Sequence, residues 1–592
     1  MHCVKIKHIL EFIKSNRGGT VKGYLQIVLH SHLPFVLSHG RWPHGADWIF
    51  EAAAETYIPI IQILHKAESE NIPLKLTIAI SPVLAEQLNH ITFPEQFVSY
   101  IRMKLTSAQE DERYYNDIDD FERVKLAQFW QDFYTRVLHD FREIEGDILG
   151  EFKKYQEKEM IEIITCAATH GYLPLLGTDN SVYAQLAVAK QVHRKHFGCE
   201  PKGIWLPEAA YRPRYEWVPP VGKDKSPRLR KGIEEFLYNL DIGYFFVDSH
   251  LLKGGKAIGV YIDRFEALKK LWAQFEKQYK PREEIPRSPY KPYLCSSKDG
   301  ECATPFYTRD PETGFQVWSG EYGYPGNPAY LDFHKKHYPG GHRYWRVTHP
   351  QADLAEKELY HPEWIQNTLA EQAHHFVSLC EDIVKENISD ATKFPPIISA
   401  PFDAELFGHW WFEGPRWLLE LANMLNKNEL VEMTRGWEYM EKYPPSEVIQ
   451  LPEGSWGQGG FHYIWLNDWT TWTWEHIYEA ERIMRDFANR FGKGEPSPRL
   501  KRVLAQMGRE LLLLESSDWQ FLISTWSARD YAEQRVTFHW EKFNEVRKIA
   551  ELLFDGKEPS AGLWRELELL EAQDDIFPKI DPTLWMDKNL NF

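Results

Sequence analysis

The chain has 592 residues, enough for roughly two to four domains, and its apolar content of 43% and charged content of 26% are those of a globular protein. Its net charge of −17 argues against nucleic acid or an anionic membrane surface as the main partner, because both require a basic face. No apolar run reaches the roughly 18 residues of a transmembrane helix, and we expect a cytoplasmic protein.

The elements predicted in chain order alternate between strands and helices. Residues 1–20 mix charges through their apolar positions and are predicted to be a short extension, not a signal peptide. The segments 48–66 and 84–158 have helical patterns. Short apolar segments predict seven buried strands: YLQIVL (24–29), LKLTIAI (74–80), IEIITCA (161–167), GIWL (203–206), GYFFV (243–247), IISA (397–400) and VIQL (448–451). This alternation indicates parallel β/α organisation.

Two regions differ from that pattern. Residues 214–316 are rich in Lys, Pro and Gly, which indicates an inserted subdomain. Beyond about residue 470 the apolar residues recur at helical spacing, as in Ile477, Ile483, Met484 and Phe487, so the end of the chain is predicted to be helical.

Polar and aromatic clusters directly follow five of the predicted strands. They read HSHLP, THGYLP, PEAAYRP, PFDAELFGHWW and PEGSWGQGG. Such residues often only mark turns. Because sites in parallel β/α folds form at the carboxyl ends of the strands, five clusters at the same position predict one functional site.

Two of these clusters each hold a carboxylic acid, Glu208 and Asp403, beside Pro and aromatic residues. Cleavage of a glycosidic bond uses two carboxyl groups, one to attack the anomeric carbon or activate water and one to protonate the leaving oxygen. Either acid alone is more often a helix cap or a member of an ion pair. The 23 Trp in an acidic chain favour a sugar ligand, since aromatic rings stack on the apolar faces of sugars.

The histidines allow two interpretations. His30 and His32 point the same way on an extended segment and, together with His170, offer three possible ligands for a metal ion. The favoured interpretation is that these imidazoles hydrogen-bond sugar hydroxyls without a metal. Cys295 and Cys302 lie close in sequence, but reduced thiols are expected for all six cysteines.

The motifs LHSHLPFVLSHGRWP, ATHGYLPLL, WLPEAAYRP, VWSGEYGYPG, APFDAELFGHWWFEGP and SWGQGGFHYIWLN resemble glycoside hydrolase family 57 and, within it, the 1,4-α-glucan branching enzymes. The resemblance extends from about residue 23 to about residue 555. It implies an α/β fold, an incomplete (β/α)7 barrel with an inserted subdomain and a C-terminal helical domain. We predict the barrel over 21–213 and 317–414 (with a strand near 448–451), the insertion over 214–316 and the helical domain over 415–592.

The resemblance also implies roles for particular residues. Glu208 matches the nucleophile and Asp403 the general acid/base, which requires Glu208 to be ionised and the pKa of Asp403 to be raised. Residues implied to contact substrate are His30, His32, Trp42, Trp48, His170, Trp318, Trp410, Trp456 and Trp465. The family's site-closing tyrosine has no clear match; the candidates are Tyr261, Tyr290 and Tyr293.

The sequence therefore predicts a 1,4-α-glucan branching enzyme that acts on amylose, amylopectin or glycogen with no cofactor and no metal, as a monomer or weak oligomer. An α-amylase or 4-α-glucanotransferase of the same family would share both carboxylates. A metal-dependent hydrolase or deacetylase using the histidines and a non-catalytic glucan-binding protein are the remaining alternatives.

Overall fold

The structure is a computed structural model that describes residues 23–255, 265–277, 279–319, 322–388, 394–494 and 497–592. The predicted N-terminal extension and Tyr261 lie outside these ranges.

Seven parallel segments are joined in a ring. β1 (Gly23–Ser31) pairs with β2 (Leu76–Ile80), and β2 pairs with β3 (Ile161–Ile164). Single bridges join Thr165 to Ile204 and Ile204 to Phe245, the first residue of β6 (Phe245–Val247). β6 pairs with β8 (Thr304–Thr308), a bridge joins Arg309 to Ser399, and β9 (Ile397–Asp403) pairs with β1. These segments are buried almost throughout, as expected for a parallel sheet covered by helices.

The ring corrects two sequence predictions. Residues 448–451 contribute no ring strand, because β11 (Val448–Ile449) pairs with β7 (Tyr293–Cys295) instead. The seventh ring strand is β8, whose sequence TPFYT carries a Pro and two Thr and lacks the uniform apolar run of its neighbours. Since β6 and β8 both lie within 214–316, that range is not wholly an insertion.

Three shorter strands complete the described sheet structure. β4 (Tyr215–Trp217) and β5 (Arg228–Arg230) form an antiparallel pair. β10 (Val431–Met433) pairs with the start of β1. The range 415–592, predicted to be helical, therefore also contains the strands β10 and β11.

Helices surround the ring. The predicted helix at 48–66 corresponds to Asp47–Ala52, a π-helical turn at Ala53–Tyr57, and Ile58–Ser69. The predicted helical region 84–158 forms Pro82–Leu88, Phe93–Asp117, Phe121–Glu143 and Ile148–Glu157. The remaining helices before residue 470 are Asp179–Phe197, Ile233–Asn239, Ser249–Lys253, Glu266–Phe275, Pro311–Trp318, Ile365–Asn387, Gly414–Leu425 and Gly436–Lys442.

The end of the chain is helical, as predicted. Its helices are Thr471–Phe491, Pro498–Leu514, Asp518–Thr525, Arg529–Phe554 and Ala561–Gln573. The predicted α/β fold class with a helical C-terminal region is thus confirmed. None of the helices in the described ranges is both long and apolar enough to cross a membrane.

Candidate active site

A cleft opens at the carboxyl ends of the ring strands. It encloses about 1010 Å³ of empty space, part of it open to solvent. Its lining residues come from several strand ends and from the C-terminal helices: His30, His32, Leu33, His170, Glu208, Phe265, Trp318, Asp403, Glu405, Leu406, Trp410, Trp456, Asp518 and Phe521. Glu208 and Asp403, far apart in the sequence, therefore face one cavity.

Glu208 is held in an unusual backbone conformation. It follows the bridge residue Ile204 and has φ +60°, and the next residue, Ala209, has φ +46°. Non-glycine residues in the left-handed region cost free energy and are found most often at functional sites. The indole Nε1 of Trp456 donates a hydrogen bond of 2.7 Å to Oε2 of Glu208, and the Trp456 backbone N–H donates to the Glu208 carbonyl at 3.1 Å. These bonds fix the carboxyl group at the floor of the cleft.

The protonation of Glu208 differs from the sequence-based expectation. Burial raises the pKa of Glu208 to about 8, the hydrogen bond from Trp456 lowers it, and the charges of Asp403 and Asp518 raise it. In the ligand-free cleft Glu208, which the sequence analysis expects to be ionised, therefore holds a proton. The physical reason is that several carboxyl groups share one poorly solvated space, so that ionising each one disfavours the next.

Asp403 ends β9 directly opposite His30 in β1, and Glu405 follows two residues later. Glu405 accepts hydrogen bonds from the Tyr57 hydroxyl at 2.5 Å and from the backbone N–H of His32 at 3.2 Å. The pKa of Glu405 is raised to about 8 by burial, with a smaller contribution from the Asp403 charge, while the hydrogen bond from Tyr57 acts to lower it. The sequence analysis did not assign Glu405, although it lies inside the quoted PFDAELF motif.

The structure brings the three predicted histidines together. Nε2 of His30 lies 3.0 Å from Nε2 of His170, and the rings of His32 and His170 stack with their centroids 4.0 Å apart. Burial, together with the neighbouring imidazoles, keeps the pKa of both His30 and His170 well below its usual range. At neutral pH these two rings are uncharged, and each can donate or accept a hydrogen bond.

Asp518 is a site residue that the sequence analysis missed. It begins the helix Asp518–Thr525, and its Oδ2 lies 2.9 Å from Nε2 of His32. The Ser516 hydroxyl donates to the same oxygen at 2.6 Å. Burial acts to raise the pKa of Asp518, but the ion pair and hydrogen bond with His32 outweigh it and hold the pKa at about 2. An ionised carboxylate from the helical region therefore completes the cleft.

Three of the predicted tryptophans line the cleft, namely Trp318, Trp410 and Trp456. Trp410 stacks on Phe333 with centroids 4.1 Å apart and remains 39% exposed. Trp456 packs edge-on against Trp318 at 6.2 Å. Together these rings form aromatic walls around the two carboxyl groups.

The other three predicted tryptophans lie outside the lining of the cleft. Trp465 is 1% exposed and stacks on Tyr172 at 4.5 Å, so its ring is packed in the core, and its contact with substrate stays a prediction. Trp48 packs against Tyr531 at 5.5 Å, and Trp42 is 73% exposed.

Neither of the two described tyrosine candidates for a closing group lies in the cleft. The Tyr290 hydroxyl donates to Asp310 at 3.1 Å, and the Tyr293 hydroxyl donates to the Ser288 carbonyl at 2.9 Å. Both side chains are engaged elsewhere in the fold. The five cysteines of the described ranges are free thiols, Cys295 and Cys302 included.

The histidines also bear on the metal hypothesis. One ligand atom from each of His32, His170 and Asp518 lies within 4.8 Å of the others, and the same holds for His30, Cys166 and His170. These donor sets differ from the predicted trio of histidines. In the first of them, Nε2 of His32 is already paired with Asp518, an arrangement that also orients a sugar-binding imidazole without any ion.

A ring of parallel strands whose carboxyl ends carry two carboxylic acids within aromatic walls defines a glycoside-acting enzyme of the β/α-barrel class. The chain belongs to glycosyl hydrolase family 57, whose sequence profile matches residues 26–452. A second profile, described as the C-terminal region of 1,4-alpha-glucan branching enzymes, matches residues 476–585.

Similar proteins cover nearly the whole chain. A 1,4-alpha-glucan branching enzyme of Thermococcus kodakarensis is 41% identical over 530 residues, which are 89% of this chain and 73% of the relative. The crystal structure of a family 57 branching enzyme from Pyrococcus horikoshii superposes with a TM-score of 0.84 at 38% identity, covering 95% of this chain and 96% of the other. An α-amylase from Thermotoga maritima superposes with a TM-score of 0.76 at 29% identity, covering 95% and 99%.

Proposed function

We propose that this chain is a 1,4-α-glucan branching enzyme, which cleaves an α-1,4 bond and transfers the glucan segment to a 6-hydroxyl to form an α-1,6 branch. The observation that carries the proposal is the placement of Glu208 and Asp403 in one cleft with Trp318, Trp410 and Trp456 around them. Both branching-enzyme relatives and the C-terminal profile support this choice within the family.

The proposed reaction is a double displacement. The Glu208 carboxylate attacks the anomeric carbon, while Asp403 protonates the departing glycosidic oxygen. The first half leaves a β-glucosyl ester on Glu208. Asp403 then takes the proton from a 6-hydroxyl of an acceptor chain, and that oxygen displaces the ester with overall retention.

The reaction requires one proton on this pair of acids. The reactive form has Glu208 ionised and Asp403 protonated, whereas the free cleft favours a proton on Glu208. Both forms carry the same charge and differ only in where the proton resides, since coupled acids titrate as a pair. A minor, correctly protonated population therefore reacts, and the hydrogen bond from Trp456 increases that population.

The glucosyl ester can be transferred to a sugar hydroxyl or hydrolysed by water, and we propose that the cleft favours transfer. The walls include Trp456 and Phe521, apolar surfaces that exclude water from the ester. Phe521 and Asp518 come from the region matched by the branching-enzyme C-terminal profile. We propose that this region orients the acceptor, so that a bound hydroxyl is closer to the ester than a water molecule.

The remaining parts of the proposal concern substrate contacts and context. His30, His32 and His170 bind sugar hydroxyls, and Trp42 and Trp48 contact a longer glucan outside the cleft. Amylose, amylopectin and glycogen are the proposed substrates. We further propose that the enzyme works in the cytoplasm as a monomer or weak oligomer with no metal, and that the domain boundaries follow the ring strands described above.

The function is tested by incubating the purified protein with amylose in a buffer that contains a chelator. Proton NMR counts α-1,6 linkages, and a reducing-end assay counts hydrolysis. We expect new α-1,6 signal, few new reducing ends, and neither product with Glu208→Gln. The matched control is Glu363→Gln, an exposed glutamate remote from the cleft.

The likeness to the Thermotoga maritima α-amylase favours a second candidate, hydrolysis of α-glucans at the same two acids. In the amylose experiment this candidate predicts reducing ends without α-1,6 signal. Redistributed α-1,4 chain lengths with neither product would instead indicate a 4-α-glucanotransferase. Activity that disappears only with the chelator would indicate a metal on the histidines of the cleft.

A further inference from the structure

A second cleft lies beside the active site and has no role in the proposed reaction. We call it the side cleft and define it by His250, Trp272, Phe275, Tyr279, Phe461 and Tyr463. It encloses about 870 Å³ of empty space, close to the 1010 Å³ of the active-site cleft. Among the residues that the structure describes, the two clefts have no lining residue in common.

Five aromatic rings line the side cleft, together with the cations Lys280 and Arg282. Phe275 stacks on Tyr463 at 4.9 Å, and Trp272 lies 5.7 Å from Tyr463 and 5.4 Å from Tyr279. Phe461 projects from the opposite side and is 49% exposed. The exposed ring of Phe461 and the half-buried ring of Trp272 suit the apolar faces of sugar rings.

The side cleft also contains a buried polar group that lacks a hydrogen bond. Among the described residues, Nε2 of His250 is buried without a hydrogen-bond partner, while Nδ1 faces Oδ1 of Asp248 at 3.8 Å. Its side chain is 10% exposed. Because a buried polar atom is normally paired, the free nitrogen indicates a missing partner. A sugar hydroxyl, which both donates and accepts, fits a neutral imidazole in either tautomer.

The two clefts share structural walls. Phe265 lines the active-site cleft, and Phe275, ten positions later at the end of the helix Glu266–Phe275, lines the side cleft. A helix rises about 1.5 Å per residue, so the clefts are separated by roughly 15 Å along this wall.

On the other wall, Trp456 lines the first cleft and Phe461 the second, within one short loop. Gly459 of this loop has φ +75°, and a Cβ there would lie 2.8 Å from the ring of Trp272. The loop therefore packs tightly against the helix that separates the clefts.

We propose that the side cleft is an accessory α-glucan site, which holds a remote part of a chain whose reacting part lies in the active-site cleft. The proposal rests on the proposed function for the identity of the sugar. His250 hydrogen-bonds a hydroxyl, and Trp272 and Phe461 stack on sugar rings. The site increases the local concentration of long chains over short ones at the active site.

Binding is measured in the Glu208→Gln background, where no turnover interferes. Native gels containing glycogen report retention, and titration with maltoheptaose reports the dissociation constant. We expect Phe461→Ala and Trp272→Ala to weaken glycogen retention by about three- to tenfold, the factor typical of losing one aromatic stacking contact. Phe121→Ala is the matched control, since Phe121 is 58% exposed at the start of a remote helix.

A kinetic measurement in the active enzyme separates binding from a folding defect. We expect Phe461→Ala to raise KM for amylose and leave kcat unchanged, and to leave turnover of a short α-maltosyl fluoride unchanged. If Phe461→Ala has the same glycogen retention and the same KM as Phe121→Ala, in a protein that branches amylose, the accessory-site proposal is refuted and the proposed branching activity is not. Weakened retention in a protein that forms no α-1,6 bonds would support the side cleft and refute the proposed branching activity.

Discussion

Replacing Trp456 by Phe removes one hydrogen bond from Glu208 while keeping an aromatic ring in the cleft wall. The indole N–H donates to Oε2 of Glu208 at 2.7 Å and stabilises the ionised carboxylate. Phe has no donor. The substitution therefore raises the pKa of Glu208 further above its value of about 8.

The size of the effect follows from the strength of the lost bond. A hydrogen bond to a charged group contributes about 1.5–3 kcal/mol, which corresponds to about one to two pKa units. With a pKa of about 8, roughly one-tenth of Glu208 is ionised at pH 7. In Trp456→Phe that fraction falls to roughly one part in a hundred to one in a thousand, so kcat/KM at pH 7 should fall about ten- to a hundredfold.

The assay is kcat/KM for branching of amylose as a function of pH, because this parameter reports the ionisation of the free enzyme. We expect kcat/KM of Trp456→Phe to be lower throughout the pH range in which the pair of acids holds one proton, and the alkaline limb, where the pair loses that proton, to move to higher pH. Trp410→Phe is the control, since Trp410 also lines the cleft and stacks on Phe333. A Trp456→Phe profile whose alkaline limb does not move would show that Trp456 acts only through stacking, and would refute the electrostatic reasoning.

Three further predictions concern other groups. Asp403→Asn should abolish turnover of amylose yet still release fluoride from α-maltosyl fluoride, whose leaving group needs no proton; equal loss of both would exclude Asp403 as the acid. Asp518→Asn removes the ion pair to His32, so it should cost about 1.5–3 kcal/mol of unfolding free energy at pH 7. Because the pKa of Asp518 is depressed to about 2, this difference is present above the unfolded value of about 4 and is lost as the pH falls towards 2, as denaturant titrations at several pH values would show. Burial raises the pKa of Glu510 and lowers the pKa of His539, whose Nδ1 lies 2.8 Å from Oε2 of Glu510, so the pair is held in its neutral form. Glu510→Gln should therefore cost little, and His539→Ala, which leaves buried polar groups unpaired, about 1–3 kcal/mol; comparable losses in urea titrations would contradict this.

The elements that the sequence predicted best are those with a single strong pattern. β1, β2 and β9 are mostly apolar, and the C-terminal helices repeat apolar residues at helical spacing, so both are visible without tertiary information. β8 was missed because its residues Thr304–Thr308 become a buried strand only through pairing with β6 and β7. Conversely, residues 448–451 are apolar but pair outside the ring.

The site was predictable where its residues follow the strands. Glu208, Asp403 and the three histidines lie in clusters at strand ends, a position that itself indicates function. Asp518 was not predictable in this way, since it lies 486 residues from its partner His32. In the sequence it resembles any acidic residue at the start of a helix. The sequence does not distinguish Trp465 from Trp456. Only the packing shows that Trp465 lies in the core and that Trp456 lines the cleft.

The left-handed backbone conformation of Glu208 and the raised pKa of its carboxyl group also could not be predicted from the sequence. Both arise from contacts with distant segments, among them the loop that carries Trp456 and the helix that carries Asp518. They are the features that most directly shape the proposed chemistry.

The central claim, that Glu208 forms the covalent bond to the transferred glucan, is tested most directly by mapping the ester. The protein is treated with a fluorinated α-maltosyl fluoride that forms the ester and turns over slowly, then digested at low pH and analysed by mass spectrometry. The account predicts one added maltosyl group on the peptide that carries Glu208, and none in Glu208→Gln. An adduct on Glu405 or Asp403, or an adduct that persists in Glu208→Gln, would contradict it.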